Sequence, residues 1–121
     1  GSTFSDLIQI ELVGQAPFYK ISAAVFGDND YRIVEIDGFG IELKMEGDIV
    51  MYKNDDKPGM LAAAAASFAK QDINIAALSL GRETKGTSAI TALTVDKALT
   101  EAELQPIREM SGVSNVHYIK L

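Results

Sequence analysis

The sequence has no cysteine, so disulfides, thiolate chemistry and cysteine-based metal sites are excluded. One histidine, His117, and no tryptophan leave few groups for acid–base or metal work near neutral pH. Bases are scarce as well, 11 against 17 acids, and the net charge is −6. That sign repels phosphate backbones and anionic lipid, so neither nucleic acid nor a membrane surface is an expected partner. The longest apolar run, Met60 to Ala66, is too short to span a bilayer. No basic n-region followed by an apolar stretch opens the chain, and the cytoplasm is the expected location. The chain opens on Gly1-Ser2 without a methionine, which leads us to expect a piece excised from a larger protein. Such absences point to a binding or regulatory domain. An enzyme would have to work almost without histidine and wholly without cysteine.

What is present is enough to fold. Of the 121 residues, 47% are hydrophobic and 23% charged, and mean hydropathy is +0.08, a balance that supports a packed core. Residues 7–13 alternate, with Ile8, Ile10 and Leu12 at the even positions, as a strand with one buried face does. Further strands are expected from Phe18 to Phe26, from Arg32 to Ile36 and from Gly40 to Met45. Asp37-Gly38 between the last two is a hairpin signal, because a type I′ turn needs positive φ. No helix is expected in the first 46 residues, which hold eight acids and three bases.

The pattern then changes, and the remaining residues hold nine acids and eight bases. The spacing predicts a strand over Ile49–Lys53, a loop over Asn54–Gly59 and a helix over Met60–Lys70, with Asp56 near the N-cap and Pro58 in the first turn. Strands are expected over Ile73–Leu80 and Ser88–Val95, joined by a polar turn from Gly81 to Gly86. Thr100 and Glu103 have the spacing of a capping box and open a helix to Met110. Ser111-Gly112 ends it, and Val113 to Leu121 forms a last strand. The order βαββαβ over these residues is the ferredoxin-like arrangement, so the fold class is α+β, with a small antiparallel β block in front.

The segment Asn54 to Gly59 is the most informative for function. A helix N-terminus offers free N–H groups and a positive dipole end, which favour a carboxylate or another small anion. Gly59 allows a ligand close to the backbone, and Asp56 could both cap the helix and receive an ammonium group. Asn74, beyond the helix, supplies a donor and an acceptor. Carboxylate and ammonium recognition together suit a free amino acid; an ordinary polar strand–helix loop explains the same residues. The alanines 62–66, with Met60, Leu61 and Phe68, read as core. Gly81 to Gly86 lacks the order of a phosphate loop. His117 has no second ligand candidate and reads as exposed or internally satisfied. The acids Asp28, Asp30, Glu35 and Asp37 lack calcium-loop spacing.

Residues 48–121 resemble an ACT domain, the small βαββαβ module that binds amino acids in metabolic enzymes. The matching stretches are Asn54-Asp55-Asp56-Lys57-Pro58-Gly59, Ile73-Asn74-Ile75-Ala76, Gly81-Arg82 and Val95-Asp96. Residues 1–47 resemble part of the intervening regulatory domain that precedes the ACT domain in long-form D-3-phosphoglycerate dehydrogenases. Ser5-Asp6-Leu7-Ile8, Ala23-Ala24-Val25-Phe26-Gly27, Arg32-Ile33-Val34 and Ile36-Asp37-Gly38-Phe39 carry that likeness.

The resemblance implies an allosteric and dimerisation fragment of an enzyme that oxidises 3-phosphoglycerate with NAD in serine biosynthesis. It implies L-serine as effector, bound between ACT domains paired as a homodimer. Position by position, Asn54, Asp56, Lys57, Pro58 and Gly59 match the ligand loop, and Asn74 matches the asparagine that faces it from the neighbouring subunit. Lys57 stands where the family often has arginine. No catalytic residue, metal or cofactor is expected in this stretch, NAD belonging to the parent enzyme. Two other readings stand beside this one: the ACT-containing portion of an iron–sulfur L-serine dehydratase β-subunit, and a dimerisation module without a ligand.

Overall fold

The computed structural model describes residues 6–11, 20–82 and 87–121, with side chains from residue 20 onward. Expectations placed on other residues lie outside the described ones: the Gly1-Ser2 pair, Ser5, Leu12 and Val13, the start of the second strand at Phe18, and the turn over Glu83–Gly86.

Four strands come first: β1 (Asp6–Glu11), β2 (Lys20–Val25), β3 (Tyr31–Ile36) and β4 (Phe39–Lys44). They form an antiparallel sheet in the order β1-β2-β3-β4. The turn between β3 and β4 has φ of 48° at Asp37 and 86° at Gly38, the double positive φ of the expected hairpin. Along β4, Phe39, Ile41 and Leu43 are buried while Gly40, Glu42 and Lys44 are exposed. One face of this sheet is therefore apolar and must be covered.

The second block runs β5 (Asp48–Asp55), α1 (Met60–Lys70), β6 (Ile75–Arg82), β7 (Ser88–Val95), α2 (Glu101–Arg108) and β8 (Val113–Lys120). Its sheet is antiparallel with the order β6-β7-β5-β8, the arrangement of an ACT domain. The capping box forms as expected: Thr100 Oγ1 accepts from the Glu103 N–H, and Glu103 Oε1 accepts from the Thr100 N–H.

Several boundaries differ from expectation. Strand β5 runs on through Asn54 and Asp55, because both pair with β7, opposite Ala89 and Ser88. Strand β6 begins at Ile75, two residues late, and includes Gly81 and Arg82, which pair with Ile90 and Ala89 in place of turning. Helix α2 stops at Arg108, two residues before Met110. Within it Pro106 withholds a backbone donor from the carbonyl one turn back.

The alanine run is also less buried than its composition suggests. Of Met60 to Phe68, only Ala64 and Phe68 are buried, and Leu61 is 41% exposed. A helix lying on a sheet hides one stripe, here the i, i+4 pair, whatever the chemistry of its other faces.

The central sheet is covered on both faces, and β5 shows this residue by residue. Ile49 and Met51 join Ile90 and Ala92 in a cluster with Ile21, Ile33, Ile36, Phe39, Ile41 and Leu43 of the first sheet. Val50 and Tyr52 point the other way, into a cluster with Ala64, Phe68, Leu93, Leu104 and Ile107 beneath the helices. The molecule is thus three layers, sheet on sheet on helices. A strand buried on both faces loses its polar alternation, which is why Ile49-Val50-Met51-Tyr52 reads as a continuous apolar run. His117, on β8 opposite Met51, is 3% exposed, with Nδ1 3.3 Å from the Asn115 carbonyl oxygen.

Candidate functional site

The end of β5 and the start of α1 meet at one end of the central sheet. Asn54 points toward the helix layer and is 6% exposed. Its Oδ1 accepts from Thr91 Oγ1 at 2.9 Å and its Nδ2 donates to the Asp55 carbonyl at 3.0 Å. Both ends of the amide are engaged inside the chain, and one amide hydrogen and one lone pair are left over. Burial raises the Tyr52 phenol above its ordinary range, and its hydrogen bond with Thr91 partly opposes the rise.

The loop after Asn54 is fastened by its backbone. The Asp55 N–H donates to the Gly112 carbonyl at 2.9 Å, and the Asp56 N–H to the Thr87 carbonyl at 2.7 Å. Gly112 has φ +85°, and a Cβ there would lie 2.9 Å from Asp55 Oδ2 and 3.0 Å from Met60 Cε. The side-chain tips of Asp55 and Met60 could shift to admit a Cβ, so it is the φ of +85° that favours glycine where the turn before β8 closes on the loop.

The helix entry differs from the sequence reading. Helix α1 begins at Met60, so Pro58 lies in the preceding turn. The N-cap is Gly59 in the left-handed region, φ 89°, and no side chain caps it. Asp56 does not cap because it stands three residues before the N-cap, and its Oδ1 lies 3.2 Å from Arg82 Nε. The first helical N–H to find a carbonyl partner is that of Ala63, on Gly59. The N–H groups before it are the donors an anion would use. Lys57 is exposed and lies 3.8 Å from Asp55 Oδ2.

Asn74 is not at this end. It precedes Ile75, which pairs with Val95 opposite Asp48, whereas Asn54 pairs with Ala89 opposite Arg82. At about 3.3 Å per residue, the eight residues of β6 set the two groups roughly 25 Å apart. There Asn74 Nδ2 donates to Asp96 Oδ2, and the Asn74 carbonyl accepts from the Asp96 N–H. Ala69, Asp72, Ile73 and Asn74 line a shallow open depression. One copy of the chain therefore brings together Asn54, Asp56, Lys57, Pro58 and Gly59 and leaves Asn74 at the opposite end.

Arg82 is the residue that sequence reasoning passed over. The spacing puts it in the polar turn from Gly81 to Gly86; the register instead carries it to the end of β6 beside Asp56, with its side chain 66% exposed. Among the described residues no group of three or more His, Cys, Asp or Glu side chains could hold a metal ion. No described helix is long and apolar enough to cross a membrane.

No family model matches the chain. Curated proteins do. A D-3-phosphoglycerate dehydrogenase of Bacillus subtilis is 28% identical over 120 residues, 99% of this chain and 22% of that protein. The corresponding protein of Archaeoglobus fulgidus is 25% identical over 120 residues, 98% of this chain and 23% of its own length. A probable L-serine dehydratase, beta chain, of Bacillus subtilis is 23% identical over 97 residues, 80% of this chain and 44% of that one. The chain spans about 22% of the length of the first of these dehydrogenases. Across 99% of its residues it is similar to the C-terminal, regulatory region of D-3-phosphoglycerate dehydrogenases.

Proposed function

We propose that this chain is the effector-binding and dimerisation part of a D-3-phosphoglycerate dehydrogenase, and that L-serine is the effector. In that reading the oxidation of 3-phosphoglycerate with NAD belongs to the part of the relatives that this chain does not span. The observation that carries the proposal is the division of the candidate residues between the two ends of β6. This strand is an edge of the central sheet, and Ala76, Ala77 and Leu78 on it are exposed. Two copies paired antiparallel along β6 would set the Asn54–Gly59 loop of one beside Asn74 of the other. The ligand carboxylate then meets the uncapped start of α1 with Lys57, and its ammonium group meets the asparagine and carboxylate at the far end of the second copy.

Regulation follows from such a shared site. A ligand held between two copies favours the arrangement in which both halves reach it, by its differential affinity for the arrangements. Couplings of this kind are typically about 1–3 kcal/mol.

Calorimetric titration with L-serine tests the proposal. Heat is expected, together with a rise in melting temperature, because a ligand of the native state stabilises it by mass action. Asn74→Ala should abolish the serine-induced shift while the unliganded protein still melts cooperatively. Absence of heat at millimolar serine overturns the serine reading and favours a ligand-free dimerisation module. The L-serine dehydratase reading stands second, because the alignment behind it covers 80% of the chain where the two dehydrogenases cover 98–99%.

A further inference from the structure

Two neighbouring rows of residues cross the central sheet at the end that carries the candidate loop. The first is Asn54–Ala89–Arg82, with Asn54 on the helix face and Arg82 beside Asp56. The second, one residue inward, is Lys53–Ile90–Gly81. Successive residues of a strand point to opposite faces, so this second row faces the first sheet. The β3–β4 hairpin lies directly on it. Lys53 Nζ is 3.3 Å from Asp37 Oδ2 in the hairpin turn. Gly81 meets Gly40 so closely that a Cβ on Gly81 would lie 2.5 Å from the Gly40 carbonyl oxygen. Two residues along, Ser79 Oγ accepts from the Glu42 N–H at 2.9 Å.

Asp37 is the fixed point of the hairpin. Its Oδ1 accepts from the Lys20 N–H at 2.6 Å, and its own N–H donates to the Lys20 carbonyl at 2.8 Å. Anything that displaces Lys53 therefore acts on the start of β2 and on both strands of the hairpin at once.

We propose that the Lys53–Asp37 pair, seated beside the Gly81–Gly40 contact, couples the ligand loop to the first sheet, with the β3–β4 hairpin as the responding element. The proposal rests on the serine reading given above. A ligand drawn against Asn54 and the start of α1 tightens the end of β5. Because Lys53 adjoins Asn54 on the same strand and faces the other way, the change passes through the sheet to Asp37. Lys53 acts here as a positioning residue and does not touch the ligand. The ion pair is partly exposed, at 33% and 22% for the two side chains, so its role is geometric registration more than raw stability.

Hydrogen exchange of this chain, with and without L-serine, tests the coupling. In the wild type the amides of Met60–Ala62 and of Asp37–Ile41 should both exchange more slowly with serine. Lys53→Met should keep the response at 60–62, and serine affinity within about twofold, while the hairpin response falls about fivefold. Asp37→Asn should do the same. Asparagine tolerates the positive φ of 48° at this position and still offers an oxygen to the Lys20 N–H, so this variant carries the test if Lys53→Met fails to fold. An undiminished hairpin response in the folded variants overturns the proposal, as does a wild type that responds at 60–62 and not at 37–41. Serine that produces neither heat nor any exchange response overturns the serine reading itself, and this coupling with it.

Discussion

Gly81 of the central sheet and Gly40 of the first sheet touch backbone to backbone. A Cβ added to Gly81 would stand 2.5 Å from the Gly40 carbonyl oxygen and 2.7 Å from Ile41 Cγ2. The obstacle is main chain, which cannot swing aside as a side-chain tip can. Gly81→Ala should force the two sheets apart locally and cost on the order of 1–3 kcal/mol, the usual range for overpacking a dense interior. Thermal unfolding of the variant checks this. Gly40→Ala is the control, since a Cβ on Gly40 meets nothing within 4 Å. Equal melting temperatures for the two variants would mean that the sheets are not in register at this point.

Tyr118 ties three segments together. Its hydroxyl donates to Asp48 Oδ1 at 2.6 Å and accepts from the Leu99 N–H at 3.0 Å. Burial, then the hydrogen bond to Asp48, holds its phenol above the ordinary range. A group whose folded value is raised contributes fully below its unfolded value, near pH 10, and loses that contribution as pH climbs through the folded value. Tyr118→Phe should therefore cost about 1–2 kcal/mol at neutral pH, through the lost hydrogen bonds and the unpaired Leu99 N–H. It should also flatten part of the alkaline fall in stability. Urea melts at pH 7 and pH 10.5 measure both; a variant with the wild-type alkaline slope would separate that slope from Tyr118.

The capping box at α2 gives the opposite pH dependence. Glu103 is held below the usual carboxylate range by its hydrogen bond to Lys97 and then by the Thr100 N–H. A depressed value means a contribution that is intact above about pH 4.3 and lost as pH falls below it. Glu103→Gln should remove that acid-limb dependence and leave the alkaline limb unchanged. Thr100→Ala, which deletes the cap itself, should cost about 1 kcal/mol at pH 7. Denaturant midpoints between pH 3 and 7 decide it: an acid limb of wild-type steepness in Glu103→Gln would assign that limb to other carboxylates.

These elements also show what the sequence made legible. The hairpin at Asp37-Gly38 and the cap at Thr100 follow local rules that three or four residues satisfy by themselves, and both formed as expected. The order βαββαβ was visible because helical and strand periods alternate cleanly after residue 47. Quantities set by partners distant in sequence were not visible. That Asn54 and Asp55 belong to a strand depends on Ala89 and Ser88, more than thirty residues away. That Gly81 and Arg82 are strand depends on Ile90 and Ala89. The helix starts three residues past Asp56, with Gly59 as N-cap, and the Asp56 carboxylate lies instead beside Arg82, brought alongside by that same register. The loop could be located from sequence; the separation of Asn74 from it could be read only once the strands were paired.

The strongest test of the pairing proposed for β6 uses a residue outside the candidate ligand site. Leu78 lies on this edge strand, opposite Leu93 on the helix-covered face, yet is 41% exposed. An edge strand carrying an exposed leucine between alanines and a serine invites a second strand, and proteins that stay single guard such edges with charge or proline. Leu78→Asp adds that guard. It should leave the monomer fold intact, because the side chain is surface in one copy, and it should shift the dimer proposed for the wild type toward monomer in sedimentation velocity. Leu121→Asp provides the comparison, an equally drastic change at a leucine that is 54% exposed and lies beyond the last strand. If the site is shared, serine-induced stabilisation should vanish with the dimer in Leu78→Asp and persist in Leu121→Asp, although neither residue is assigned a ligand contact. A wild type that sediments as a monomer, or a Leu78→Asp variant that stays dimeric with its serine response intact, would place the partner surface somewhere other than β6.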